Sequence, residues 1–411
     1  MRLLYIHQYF TFPQQPGGTR SYDLSRKFIE NGIDVTVITT ASKIKDLDNT
    51  KKNRWIFLER EDIKLWVLNC SYNQKMSIPR RMMSFVKFMW FSSIKAIKIN
   101  TDLLLATSTP LTVAVPALIK KLFHRTPYIF EARDIWPEGP IKLGYIKNGL
   151  SIKVLYWVEK LIYKHATFVV VLSSGMKDNI ETRLKNKAPQ MTVIPNISEI
   201  QRFADTSNKY ELGINLDNKK VILYAGTMGP VNKIIYVAEL AKLLDNIGCN
   251  DIVFLIVGEG NQKAAIIKYC QENDILNKNI YFAGNVPKNT LPYLYSMVTM
   301  GSSFVLDNEI KWHNSANKFF DTLAAGKPIL INHKGWQAEL IESKNCGYVL
   351  PACITHKDVS KFVDYIHNEE LLTEHGQNAK KVAVEQFSLE VATKNYMKVI
   401  NNITNSFGKG K

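Results

Sequence analysis

No apolar run in the sequence approaches the roughly 18 residues that a membrane-spanning helix needs; the longest candidate, Pro110 to Ile119, stops at Lys120. The opening MRLLYIHQYF has neither an apolar signal region nor a small-residue cleavage site, so the protein is expected to stay in the cytoplasm. Cys70, Cys249, Cys270, Cys346 and Cys353 are odd in number and scattered. They lack the short paired spacings of structural zinc or a redox motif and read as idle thiols. Gly-x-Gly-x-x-Gly is missing too: AGTMGPVNK offers only Gly226 and Gly229, and VGEGNQK only Gly258 and Gly260, which argues against nicotinamide or flavin binding. Internal repeats and low-complexity tracts are absent.

What is present is a long, well-buried composition with a lopsided charge. A chain of 411 residues, 46% hydrophobic, exceeds what one compact core usually holds and favours two domains. Of the net charge of +16, residues 1–195 carry +15, from 30 Lys and Arg against 15 Asp and Glu. A basic half faces something anionic: nucleic acid, an acidic membrane surface or a phosphorylated substrate.

Short apolar segments rich in β-branched residues recur along the chain, at Arg2 to Gln8, Ile33 to Thr40, Asp102 to Thr109, Pro127 to Ala132, Ala166 to Ser173 and Met191 to Asn196. After a polar stretch, a second series runs through Lys220 to Gly226, Asp251 to Gly258, Asn279 to Gly284, Gly301 to Leu306 and Pro328 to His333. Helical segments separate them, the first over Thr19 to Asn31. Alternating strands and helices predict an α/β chain of two Rossmann-like, doubly wound domains facing a central cleft, where open α/β sheets bind ligands.

Four loops carry candidate chemistry. In PGGTRSYDL, Gly17 and Gly18 let backbone approach an anion at a helix start, and Arg20 is a bidentate phosphate partner. FEARDIWPEG concentrates Glu131, Arg133, Asp134 and Glu138 beside Trp136 at a strand end, where ionisable groups shift one another's pKa values and become acid, base or phosphate-clamp candidates. The glycine turns at Gly226 and at Gly258 and Glu259 suit a nucleotide diphosphate, with Lys233 as a point charge. HNSANKFFDTLAAGKPIL is the most specific: Ser315 is placed to cap a helix that carries Lys318 and Asp321 on one face, a phosphate site with an acidic residue one turn on for ribose hydroxyls.

GGTR, RDIWPEG and SANKFFDTLAAGKPI together resemble the retaining glycosyltransferases of family 4, of the GT-B fold, over essentially the whole chain. Within that family the pattern is most similar to the bacterial N-acetyl-L-fucosamine transferases of O-antigen and capsule assembly. The resemblance implies an acceptor domain at 1–195, a donor domain at 196–386 and a last helix, within 387–411, that crosses back to the first domain. It implies a UDP-sugar donor, a lipid-pyrophosphate-linked saccharide acceptor and no metal or other cofactor. Its Glu-x7-Glu motif falls on His313 and Asp321, the latter at the ribose-binding position. Donor contacts are placed at Gly226, Lys233, Gly258, Glu259, the backbone near Val286, His313, Asn314, Ser315, Ala316, Asn317, Lys318 and Asp321. Thr227 stands where the family has a diphosphate-binding Arg, with Lys233 one residue late. A frequent active-site His falls on Arg133, whose pKa above about 12 rules out a general base, which leaves Asp134 and Glu131 to assist deprotonation and Arg133 to steady phosphate charge.

The basic half also contains RRMMSFVKFMWFSSIKAIK. At 100° per residue, Arg80, Lys87, Lys95 and Lys98 gather on one face, opposite Met82, Val86, Met89, Trp90 and Ile97. The second face is expected to pack on the domain. The first, with Arg81, Phe88 and Phe91, is expected to meet the headgroups of an anionic membrane as a peripheral attachment at the inner face of the cytoplasmic membrane. Three other readings fit less well. Asp46 and Asp48 form a metal-binding Asp-x-Asp on paper, within a Lys-rich stretch that reads as solvated loop. A UDP-sugar 2-epimerase of the same architecture leaves the charge asymmetry unexplained. A basic nucleic-acid-binding module leaves the phosphate loops without purpose and lacks a recognisable motif, so no nucleic acid partner is expected.

Overall fold

The computed structural model describes residues 1–44, 53–70, 76–142, 144, 146–185 and 188–408; the pair Asp46 and Asp48 lies outside them. The chain divides into two compact units. Met1–Phe12, Thr19–Pro195 and Ala392–Lys411 form the first; Pro13–Gly18 and Asn196–Val391 form the second. The Gly17-Gly18 loop, which the sequence assigned to the first domain, therefore folds with the second.

In the first unit, strands β1 (Arg2–Ile6), β2 (Asp34–Thr40), β3 (Trp55–Arg60), β4 (Ile63–Leu68), β5 (Leu103–Thr107), β6 (Tyr128–Ala132), β7 (Phe168–Val171) and β8 (Met191–Val193) make one sheet. Its order is β3-β4-β2-β1-β5-β6-β7-β8, parallel except for β3. The helices are α1 (Arg20–Glu30), α2 (Ile78–Lys98), α3 (Val115–His124), α4 (Glu138–Lys142), α5 (Gly149–His165) and α6 (Ser174–Leu184). β5 and β6 are buried at every residue, as strands of a parallel sheet covered on both faces must be. On one face α2, α3 and α5 form a layer: α2 packs on α3 and α3 on α5, while Tyr163 of α5 rests edge-on against Phe130 of β6, with ring centroids 5.4 Å apart. The next residue of β6, Glu131, points to the opposite face, as the two-residue period of a strand requires. There it meets α1 and Tyr396 of the final helix, Leu389–Gly408.

The second unit holds a six-stranded, wholly parallel sheet. Its strands are β9 (Lys220–Ala225), β10 (Ile252–Val257), β11 (Ile280–Gly284), β12 (Met300–Ser303), β13 (Ile329–Ile331) and β14 (Gly347–Val349), in the order β11-β10-β9-β12-β13-β14. Alternate residues of β10 feed separate cores: Ile252, Phe254 and Ile256 one, Val253, Leu255 and Val257 the other. This is the doubly wound pattern expected of each half.

Sequence pattern missed three strands. β3 and β4 form a hairpin through Glu61 and Asp62, both at positive φ. The charges of Glu59, Arg60, Glu61, Asp62 and Lys64 interrupt the apolar run that marks a buried strand, because this pair sits at the sheet edge. β14 is only three residues long.

The faces assigned to α2 hold only in part. Phe88 is fully buried, together with Ser84, Ser92 and Ala96, whose small size permits close packing. The Arg54 guanidinium lies 4.3 Å over the Phe91 ring, and the Lys95 ammonium 3.4 Å over Trp66, so both are occupied inside the unit. Arg80, Lys87 and Lys98 are exposed and Arg81 is half-buried. It is Met82, Met83, Val86, Trp90 and Ile94 that face outward. A helical wheel separates two faces but does not say which one the sheet covers. The rule that the more apolar face goes inward fails here.

Candidate functional site

In the second unit, the turns after β9 and β10 are laced together. The Gly226 N–H donates to the Val257 carbonyl at 2.8 Å and the Met228 N–H to the Glu259 carbonyl at 3.0 Å. A Cβ on Gly258, which has φ +141°, would lie 2.0 Å from the Gly226 oxygen, and one on Gly260 2.1 Å from the Met228 oxygen. The crossing of two backbones accounts for these glycines without a ligand. The side chain of Glu259 pairs with Lys263 at 2.6 Å.

Against this turn lies the helix Asn317–Ala324, buried from Lys318 to its end. Its N-cap is Ala316, not Ser315. The Ser315 hydroxyl accepts from the Asn196 N–H at 3.3 Å, and Asn196 also donates its side-chain amide to the Ser315 carbonyl. Asn314 turns the chain by accepting from the Ala316 N–H at 3.2 Å, while its carbonyl accepts from the Trp336 indole at 2.9 Å. Lys318 is buried 5.0 Å over the Tyr224 ring and donates to the Asn232 Oδ1 at 3.4 Å. The Asn232 amide in turn donates to the Thr227 carbonyl at 2.7 Å. Burial lowers the Lys318 pKa to about 8, only partly opposed by the Asp321 carboxylate. Asn317 lies beside Gly18, whose hypothetical Cβ would approach its amide nitrogen to 2.3 Å.

Two donor-site assignments change. Asp321 is not free: its carboxylate accepts from the Lys288 ammonium in a buried ion pair, and the Lys288 N–H donates to the Gln15 carbonyl at 3.2 Å. Lys233 donates its ammonium to the Ala352 carbonyl at 3.0 Å. Val286 is core, two residues before Lys288, and His313 is half-buried just ahead of the helix. The sequence alone missed Asn232, Lys288 and Asn196, which reach Lys318, Asp321 and Ser315 across 86, 33 and 119 residues.

In the first unit, FEARDIWPEG splits into groups facing different ways. Glu131 is fully buried; Oε1 accepts from Arg20 Nε at 2.7 Å and from the Tyr396 hydroxyl at 2.5 Å, and Oε2 from Thr107 at 2.5 Å. Burial pushes its carboxyl up, but the charges of Arg20 and Arg133 and these hydrogen bonds outweigh it and hold the pKa at about 2. The rest of the Arg20 guanidinium donates to the Ile194 and Pro195 carbonyls. The proton-acceptor role expected of Glu131 and the phosphate role expected of Arg20 are therefore both displaced by their mutual pairing. Glu138 is likewise engaged, by Lys142 at 2.8 Å and Asn179 at 3.1 Å.

Asp134 alone among these carboxylates is exposed, and its Oδ2 accepts from the Thr109 hydroxyl at 2.5 Å. The Arg133 N–H donates to Ser108 at 2.9 Å, and Trp136 is half-buried next to Asp134. His7, at the end of β1, is buried with Nδ1 2.9 Å from the Ser21 hydroxyl. Burial and the nearby Arg133 charge depress its pKa to about 3. Its signal in the sequence was two polar residues, His7 and Gln8, directly after an apolar strand.

Among the described residues, no helix is long and apolar enough to cross a membrane, and no cluster of three or more His, Cys, Asp or Glu is placed to hold a metal ion.

This architecture matches known proteins along the chain. Residues 17–197 match the glycosyl transferase 4-like domain and residues 208–382 the glycosyl transferases group 1 domain. The chain belongs to the GT-B glycosyltransferases of these families. An uncharacterized glycosyltransferase of Methanocaldococcus jannaschii is 24% identical over 63% of this chain and 64% of its own. The UDP-Gal:alpha-D-GlcNAc-diphosphoundecaprenol alpha-1,3-galactosyltransferase of Escherichia coli is 23% identical over 58% of this chain and 61% of its own. The chain thus spans about three fifths of the length of these curated relatives. Among solved structures, sucrose-phosphate synthase from Thermosynechococcus elongatus superposes with a TM-score of 0.74 at 14% identity, covering 98% of this chain and 99% of the other. Anabaena HepE in complex with UDP-glucose gives 0.67 at 15%, covering 98% and 100%.

Proposed function

We propose that the chain transfers a sugar from a UDP-sugar to a lipid-pyrophosphate-linked saccharide at the inner face of the bacterial cytoplasmic membrane, in O-antigen or capsule assembly. The sugar is N-acetyl-L-fucosamine or a related N-acetylated aminosugar, and the anomeric configuration is retained. The observation that carries the reading is the buried Lys318 in the first turn of the helix Asn317–Ala324, beside Asn232 and the Gly226–Met228 turn. A helix start with a lysine is built to receive a diphosphate, and Lys318 with the helix dipole neutralises the leaving group without a metal. The Lys288–Asp321 pair, one turn along, lies on the ribose side. Two likenesses support the substrate classes: HepE was solved with UDP-glucose, and the Escherichia coli relative is named for transfer to a diphosphoundecaprenol-linked sugar. Asp134 is the carboxylate open to an acceptor hydroxyl.

The test is a screen of UDP-sugars against lipid-pyrophosphate-linked saccharides, with and without EDTA. The reading expects one donor to give a lengthened lipid-linked product and UDP, undiminished by EDTA. A strict requirement for Mg²⁺ or Mn²⁺ would remove the metal-free mechanism. Interconversion of a UDP-sugar with no acceptor present would replace transfer by epimerisation.

A further inference from the structure

The outward side of the α2-α3-α5 layer departs from an ordinary soluble surface. Trp90 and Ile94 of α2, Phe123 of α3, and Leu150, Val154 and Trp157 of α5 are all exposed; Trp90 is 63%, Phe123 73% and Trp157 62% accessible. Successive helices of the layer pack on one another, so their outward sides form one continuous surface. Scattered apolar side chains need no explanation, but three large rings on adjacent helices do.

The charge of the surface selects its partner. Lys87 and Lys98 of α2 and Lys153, Lys160 and Lys164 of α5 are exposed on the same layer. The three helices contain a single carboxylate, Glu159, and it is buried and paired with Arg183 at 2.8 Å. On α5 the sequence Leu150, Lys153, Val154, Trp157, Lys160, Lys164 follows the helical repeat, so lysines flank the apolar stripe along its length. A protein partner would be matched by mixed charges and by hydrogen-bonding groups at a polar rim. Exposed tryptophans edged by lysines, with no acid among them, match the headgroup boundary of an anionic bilayer, where indole rings settle and lysines meet lipid phosphates.

We propose that the first unit docks on anionic membranes through this three-helix layer, with Trp90, Phe123 and Trp157 entering the headgroup region. The inference deepens the reading of a lipid-linked acceptor and rests on it for its purpose. It corrects the face of α2 expected from its sequence, because Phe88, Phe91 and Lys95 are turned into the unit.

The test is co-sedimentation of the full chain with vesicles of phosphatidylethanolamine and phosphatidylglycerol, and with vesicles of phosphatidylcholine alone. Wild type is expected to bind the anionic vesicles, less at high salt, and the neutral ones at least about tenfold more weakly. Trp90→Ser with Phe123→Ser and Trp157→Ser should reduce binding at least about tenfold. So should Lys87→Glu with Lys153→Glu and Lys160→Glu, while UDP affinity and the melting temperature stay at wild-type values. Anionic-vesicle binding by both variants equal to wild type overturns the proposal. So does a wild-type dimer that the Trp and Phe changes dissociate without any vesicle binding, since the layer is then a protein interface. Wild type that ignores vesicles yet extends a lipid-linked acceptor in detergent defeats the docking surface alone. Vesicle binding without transfer to any lipid-linked acceptor defeats the functional reading alone.

Discussion

Lys318 and Glu131 show how burial decides what an ionisable residue does. Lys318 is disfavoured as a cation by its surroundings, so a bound diphosphate should raise its pKa above the free value of about 8. Below that pH the lysine is already charged and UDP affinity is flat, while above it binding must take up a proton. Affinity should then fall about tenfold per pH unit. Calorimetric titration of UDP from pH 7 to 9.5 checks this, and Lys318→Met should bind weakly with no such slope; an equal slope in the variant removes Lys318 from the diphosphate. Glu131 is the opposite case. Glu131→Gln leaves the Arg20 guanidinium buried without its counter-charge, a loss of about 3 to 5 kcal/mol, and should lower the melting temperature markedly. Asp134→Asn should leave melting and UDP affinity alone and reduce kcat by about 10²- to 10⁴-fold, the range for removing a general base. Unchanged turnover in Asp134→Asn would exclude it as the proton acceptor.

At the scale of elements, the strands that were legible were those with unbroken apolar runs, such as β5 and β10, because a sheet covered on both faces demands them. The β3–β4 hairpin was hidden by Glu59, Arg60 and Lys64, which an edge tolerates. Candidate groups of the site were found where they cluster in sequence, at FEARDIWPEG and HNSANKFFD, but their directions were not. Glu131 and Asp134 are three residues apart, yet one ends in a closed ion pair and the other in solvent, because the strand ends at Ala132. Lys288 was invisible as the partner of Asp321 because only tertiary folding joins them. Gly260→Ala forces a Cβ into the Met228 carbonyl and should cost about 1 to 3 kcal/mol, seen as a lower melting temperature, together with weaker UDP binding as the Gly226–Met228 turn is displaced. Wild-type values for both would show that the two turns yield independently.

For the whole molecule, the charge asymmetry counted from sequence finds its structural expression in the first unit, where α2 and α5 expose lysines, and α2, α3 and α5 expose large apolar groups, almost without carboxylates. The second unit, near neutral, carries the glycine turns and the buried lysine. Under the two proposals above, anionic-surface recognition belongs to the first unit and nucleotide recognition to the second. Donor binding at the helix Asn317–Ala324 is tested by hydrogen exchange of the full chain with and without UDP, in EDTA. UDP is expected to slow exchange at 226–232 and 314–321 and to leave α2, α3 and α5 as they were. Protection elsewhere with none in those two segments, or protection that appears only when a divalent cation is supplied, would contradict it.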